Sequence, residues 1–265
     1  MKFSFAVLNN SINTGILRPG LVIVLLFLSS FASVGQTLRI AVAANAQFVT
    51  QALKNAFEKR NPVKIELIVS SSGKLTAQIE HGAPYDVFLS ADMKYPETIY
   101  RSGNSLDKPQ VYGYGKLVLW TVKGISFGNG LEVLKDRSVK TIAVANPSTA
   151  PYGVAAISAL KEAGIYDVIK NKIVYGESIA QVNQYLLSGV ADVVFTAKSV
   201  VESPALKNKG KWIEISDSLY QPIQQGAVIL KYAERNDLKD AQAFYNFLFS
   251  SEGKAVFRSF GYEVR

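Results

Sequence analysis

Short apolar runs of strand length alternate with helix-period stretches along most of this chain, twice over, and that alternation limits the folds open to it. "LRIAVAA" (38–44) sets Leu38, Ile40 and Val42 on one face, as a half-buried strand does. "QFVTQALKNAFEKR" (47–60) then places Val49, Leu53, Ala56 and Phe57 at helical spacing, and Pro62 closes it. "VKIELIVS" (63–70) reads as a strand with Val63, Ile65, Leu67 and Val69 on one face. "GKLTAQIEH" follows as a short helix and "YDVFLSA" (85–91) as a third strand. A βαβαβ order of this kind predicts a parallel sheet covered by helices.

The middle of the chain repeats the scheme. "KTIAVAN" (140–146), "KIVYGE" (172–177) and "ADVVFTA" (191–197) read as strands, and "PYGVAAISALKEAG" (151–164) and "SIAQVNQYLLSG" (178–189) as helices between them. The fold class expected is therefore α/β: two lobes, each a mostly parallel sheet flanked by helices. Two long β-rich segments, "VYGYGKLVLWTV" (111–122) and "PIQQGAVILKYA" (222–233), are placed to cross between the lobes as a two-segment hinge, followed by a helical tail. The expected boundaries are 1–35 for a leader, 36–115 for the first part of lobe I, 116–222 for lobe II, and 223–265 for the return to lobe I.

The leader is read from its own pattern. Lys2 and Arg18 are its only charges, an apolar run spans Leu21 to Leu28, and Ser33-Val34-Gly35 is a small-x-small cleavage signal before Gln36. That is the layout of a secretory signal peptide cleaved near Gly35/Gln36, with a membrane anchor as the lesser alternative. Export to a periplasm follows. The chain has no cysteine, which excludes disulfides, thiolate metal sites and a lipid-modified cysteine, and the single histidine, His81, leaves no cluster for zinc. Losing Lys2 and Arg18 takes the formal net charge from +8 to +6. A basic exported protein suits small anions. Nucleic acid is not expected, because no basic run with interleaved aromatics occurs; "KNKGKW" (207–212) reads as a solvated loop.

"SSSGK" (70–74) gathers hydroxyls, a flexible backbone and a positive charge at the start of a helix. A phosphate-binding P-loop would need glycine at 68 and a hydroxyl at 75, where Ile68 and Leu75 stand. Ser71 and Lys74 spell the S-x-x-K of penicillin-recognising enzymes, so a serine hydrolase is a rival reading. Its companion motifs are missing: residues 140–142 read Lys-Thr-Ile and 216–218 read Ser-Asp-Ser. The third reading is an oxyanion held at helix N-termini, whose unpaired N–H groups and partial positive charge bind anions. Four strand-to-helix turns fit it: Asn45, Ser72-Gly73, Ala150-Pro151-Tyr152-Gly153 with Pro151 suited to a first helical turn, and Glu177-Ser178-Ile179. Asn45, Ser72 and Ser178 are also ordinary N-cap types. It is the set of four, at the strand ends where α/β proteins bind ligands, that points to function.

At "VAANAQF" (42–48), "SSSGKLTAQIEHGAPYDVFLSAD" (70–92), "ANPSTAPYGVAAISAL" (145–160) and "FLFSSEGKAVFRSFGY" (247–262) the sequence resembles the periplasmic molybdate-binding proteins of ABC transporters, a likeness that runs over 37–265. The resemblance implies two lobes that close over molybdate or tungstate, held by neutral donors, with no cofactor, no side-chain-coordinated metal and no catalysis. It implies a monomer that hands its ligand to a membrane permease. Carried over by position, it implies Asn45, Ser72, and the backbones of Tyr152 and Ile179 as ligand-binding, with Ala44 as a possible addition through its backbone. Some members carry a hydroxyl residue where Asn45 stands and a tyrosine near Phe195. Phe195 has no hydroxyl, and Asn45 is the expected source of a compensating N–H. Lys74 is expected to face solvent and Asp92 to cap the helix that follows it, since a carboxylate would repel an anion. Sulfate or another tetrahedral oxyanion is the alternative ligand.

Overall fold

The computed structural model describes residues 37–265. The expected leader and its cleavage point lie outside the described residues.

Two five-stranded sheets make up the molecule, one per lobe. The first contains β1 (Leu38–Ala43), β2 (Ile65–Ser70), β3 (Val87–Leu89), β4 (Gln110–Gly115) and β10 (Ile223–Ile229), in the order β2-β1-β3-β10-β4. The second contains β5 (Leu117–Thr121), β6 (Ile142–Ala145), β7 (Ile173–Gly176), β8 (Val193–Ala197) and β9 (Lys211–Glu214), in the order β7-β6-β8-β5-β9. The pairings β1–β2, β1–β3, β6–β7 and β6–β8 are parallel, as the βαβ alternation predicts. Both sheets are mixed, because β10 and β5 run antiparallel to each of their neighbours. These two reversed strands are the ones next to the crossings. The chain leaves the first sheet after Gly115, enters the second at Leu117, and returns between Tyr220 and Ile223. The β-rich segment over 111–122 crosses between the lobes as two strands with Lys116 between them, whose ammonium pairs with Asp217 and with Glu263 at 2.8 Å.

Helices cover both faces of each sheet. In the first lobe these are α1 (Gln47–Glu58), α2 (Ser72–Glu80) and α3 (Lys94–Arg101); in the second, α4 (Pro151–Glu162), α5 (Tyr166–Ile169), α6 (Ile179–Leu187) and α7 (Lys198–Val201). The tail is two helices, α8 (Leu238–Phe249) and α9 (Ser251–Ser259), because Ser250 leaves the helical conformation and its Oγ accepts from Gly253 N at 3.1 Å. One further reading changes. The solvated loop at 207–212 ends in a strand, since Lys211 and Trp212 open β9. Val69, on the same face of β2 as Ile65, lies 38% exposed near the end of this edge strand.

The lobes are built on one plan. In each, an aspartate precedes the strand that pairs with the first one. Asp86 Oδ2 accepts from Arg39 N at 2.7 Å, and Asp192 Oδ2 accepts from Lys140 N at 2.7 Å and Thr141 N at 2.9 Å. Among the described residues no helix is long and apolar enough to cross a membrane.

Candidate functional site

Each parallel strand of this architecture ends where a helix begins, and four of those ends meet. Ala44 and Asn45 lie in a 3-10 turn, Ala44–Ala46, that joins β1 to α1. Asn45 is therefore not the first residue of the α-helix itself but sits one turn before it. Ser72 is the first residue of α2, with Ser71 as N-cap. Tyr152 is the second residue of α4, after Pro151, and Ile179 is the first of α6, after Ser178, whose side chain accepts from Gln181 N. Ala44, Asn45, Ser72, Tyr152 and Ile179 all line one small cavity, together with Ala43, Ser71, Ala91, Ala150 and Pro151. The centre of a water-sized sphere has about 10 Å³ to occupy there, about the room of one water molecule.

No Asp, Glu, Lys, Arg or His lines this cavity. What faces it are the starts of α2, α4 and α6 and the 3-10 turn, whose first N–H groups have no partner within their own helix. Their dipoles add positive potential without a formal charge. The Ser72 hydroxyl is oriented: its Oγ accepts from Ala91 N at 3.0 Å, which leaves its proton to be donated. The arrangement supplies donors and little else, so it suits an acceptor-only anion.

The Asn45 side chain is held by the protein's own groups. Its Nδ2 donates to Gln225 Oε1 at 2.8 Å and to Tyr262 OH at 3.4 Å, so the carboxamide N–H groups are engaged behind the cavity. What Asn45 has left for a guest is its backbone. Gln225 also takes Tyr112 OH at 2.7 Å and donates through Nε2 to Tyr152 OH at 3.0 Å. Burial pushes the hydroxyls of Tyr112, Tyr152 and Tyr262 up and away from ionising, so the whole network stays neutral. Sequence reasoning missed Gln225, Tyr112 and Tyr262. The one available signal was a glutamine, now fully buried, inside the apolar run of β10. Phe195 is buried in the core of the second lobe and is not among the cavity residues.

Lys74 is exposed, as expected of it, and its Nζ also pairs with Glu177 Oε1 at 2.6 Å, joining the start of α2 in one lobe to the turn before α6 in the other. Three hydrogen bonds beside it also cross the junction: Gly73 N to Thr149 O at 2.9 Å, Tyr95 OH to Ser148 O at 3.3 Å, and Ser199 Oγ to Asn45 O at 2.8 Å. Met93, not Asp92, is the N-cap of α3, but Asp92 Oδ1 accepts from Tyr95 N in its first turn at 3.2 Å, and burial raises the Asp92 pKa. Asp92 and Tyr95 line a larger groove of about 410 Å³ with Pro151, Val154 and Pro222, whose walls are mostly apolar. His81 sits exposed at the end of α2, its Nδ1 2.7 Å from Ala77 O.

The chain matches the family model for bacterial extracellular solute-binding proteins over residues 38–263. It is 35% identical over 228 residues to a molybdate-binding protein, ModA, of Azotobacter vinelandii, covering 86% of this chain and 90% of that one. It is 34% identical over 223 residues to the ModA of Rhodobacter capsulatus, covering 84% and 86%. Among solved structures, the periplasmic molybdate-binding protein of Azotobacter vinelandii superposes with a TM-score of 0.81 at 33% identity, covering 86% of this chain and 99% of that one.

Proposed function

The chain belongs to the bacterial extracellular solute-binding proteins, and from that premise we propose that it captures molybdate between its lobes and delivers it to the permease of an ABC transporter. The observation that carries this reading is the cavity where four helix-starting turns, two from each lobe, meet without a charged side chain. Its relatives of about one-third identity are molybdate-binding proteins. In this reading Asn45, Tyr152 and Ile179 donate through the backbone, Ser72 through its hydroxyl and backbone, and Ala44 through its backbone. Tungstate has the same charge and shape and is taken as well.

The protein acts in the periplasm as a monomer, after removal of residues 1–35, with lobe I formed by 36–115 and 223–265 and lobe II by 116–222. It carries its ligand without transforming it. Ser71 Oγ has no hydrogen-bond partner and Lys74 is held by Glu177, which gives no support to a nucleophile and its base. Phosphate is discriminated against by its proton. Near neutral pH it keeps one, which needs an acceptor, and a cage of donors leaves it unpaired at a cost of about 1–3 kcal/mol. Sulfate, with shorter bonds, under-fills a cage preformed for the larger ion.

Thermal melting of the mature protein with molybdate, tungstate, sulfate and phosphate tests the reading. Molybdate at about 100 times its dissociation constant should add about 2.7 kcal/mol. A protein stabilised as well by phosphate as by molybdate would refute it.

A further inference from the structure

Four buried side-chain atoms among the described residues have no hydrogen-bond partner: Thr50 Oγ1, Asn183 Oδ1, Thr196 Oγ1 and Ser71 Oγ. Only Ser71 also lines the small cavity. It is 3% exposed and stands as N-cap of α2 with extended backbone angles, φ −72° and ψ 150°. A serine in that position ordinarily turns its oxygen onto the amide two or three residues ahead. Ser71 makes no such bond, and the Gly73 amide that it would meet donates instead to Thr149 O of the other lobe. The fold therefore gives Ser71 neither a capping role nor a protein partner. An unpaired buried hydroxyl is costly and calls for a reason, of which a bond made only to a ligand is one.

We propose that Ser71 is a further ligand-binding residue, whose hydroxyl donates directly to the bound oxyanion. The inference rests on the anion-binding reading of this cavity and extends it. Ser72 has its oxygen fixed by Ala91 N, so its proton has a set direction. The Ser71 hydroxyl is free to rotate, and an anion oxygen in the cavity is the acceptor that completes it. The first lobe would then provide two adjacent hydroxyl donors, where the family resemblance implies one. A capping serine and a ligand-binding serine differ in what their loss does. Losing a cap lowers stability with or without ligand, whereas losing a ligand contact lowers affinity alone.

Calorimetric titration of the mature wild type, Ser71→Ala and Ser71→Gly with sodium molybdate, with melting of each ligand-free protein, makes the test. Both variants should bind about 10-fold more weakly or worse, as expected for a hydrogen bond to a charged group. Their ligand-free melting temperatures should equal or exceed that of the wild type, because an unpaired polar atom has been removed. A wild type that takes up no molybdate refutes the anion-binding reading, and this inference with it. A wild type that binds while both variants bind equally well overturns the role of Ser71 and leaves that reading standing. Loss of ligand-free stability in both variants makes Ser71 a structural residue and overturns the inference as well.

Discussion

The first lobe meets the cavity with the hydroxyl side chains of Ser71 and Ser72 beside the Asn45 backbone, whereas the second meets it with Tyr152 and Ile179, whose side chains are occupied elsewhere. The Tyr152 hydroxyl accepts from Gln225, and Ile179 belongs to the apolar core of its lobe. Both lobes present helix starts from the same sheet plan, but what each leaves open to substitution differs. On the first side, changing a side chain removes a donor. On the second, a donor is lost only by moving the backbone. Two halves can thus contribute equally to a site while differing sharply in how much of that contribution a sequence displays.

The largest effect should come from displacing the second lobe's backbone. A methyl group at Gly153 would stand 2.0 Å from Ala145 O and 3.0 Å from Pro147 N, both main-chain atoms. Gly153→Ala should push the start of α4 off β6, cost about 3 kcal/mol in urea unfolding, and abolish molybdate binding. Wild-type binding in that variant would mean that the Tyr152 N–H is not a donor. Next comes a side-chain contrast. Ser72→Ala should lose about 10- to 100-fold in affinity. Ile179→Val, which keeps its N–H, should cost about 1 kcal/mol of stability and leave affinity within a few-fold. Equal affinity losses in the two titrations would erase the distinction between the lobes.

A third variant addresses the junction itself. A methyl group at Gly73 would lie 2.8 Å from the Tyr95 hydroxyl and 3.0 Å from Thr149 Cα, an atom of the opposite lobe. Gly73→Ala should therefore keep or slightly raise ligand-free stability, since alanine favours a helix. It should weaken molybdate binding about tenfold by holding the lobes apart. Small-angle scattering would then show a larger radius of gyration than wild type at saturating ligand. An unchanged radius would indicate that the lobes tolerate the methyl group without opening.

Much of this arrangement was legible in local pattern. Strand and helix periods mark both sheets, and Pro151 and Ser178 mark helix starts, because these signals act over a few residues. What escaped is non-local. The Asn45 carboxamide turns to partners 180 and 217 residues away, so nothing near residue 45 reveals its direction. Lys74 reads as a solvated lysine until the other lobe brings Glu177 to it. Lys116, between β4 and β5, likewise meets its two acids, Asp217 and Glu263, only in the folded state.

The matched aspartates give a smaller contrast, of opposite sign. At Asp192 burial pushes the carboxyl up, but the Lys123 ammonium and the Thr141 and Lys140 amides outweigh it and hold the pKa below the usual 3.8. Its stabilisation is present above pH 3.8 and is lost as pH falls through the folded-state value. At Asp86 burial dominates over Arg39 and Asn236, and the pKa is raised. There the native state takes up its proton first, so stability is gained as pH falls towards 3.8. In urea titrations across acid pH, the cost of Asp192→Asn should shrink and that of Asp86→Asn should grow. Parallel trends would remove the contrast.

The smallest effect tests the central claim most directly. If neutral donors hold the anion, Lys74 contributes only through an exposed ion pair with Glu177, worth under about 1 kcal/mol and screened by salt. Calorimetric titration of Lys74→Ala with molybdate, beside wild type and Ser72→Ala at low and high ionic strength, reads this out. The account predicts one anion per chain, a loss for Lys74→Ala of less than about fivefold that fades at high salt, and a larger loss for Ser72→Ala that persists. A Lys74→Ala loss exceeding that of Ser72→Ala and surviving high salt would mean a charge-paired site, and would contradict the neutral cage.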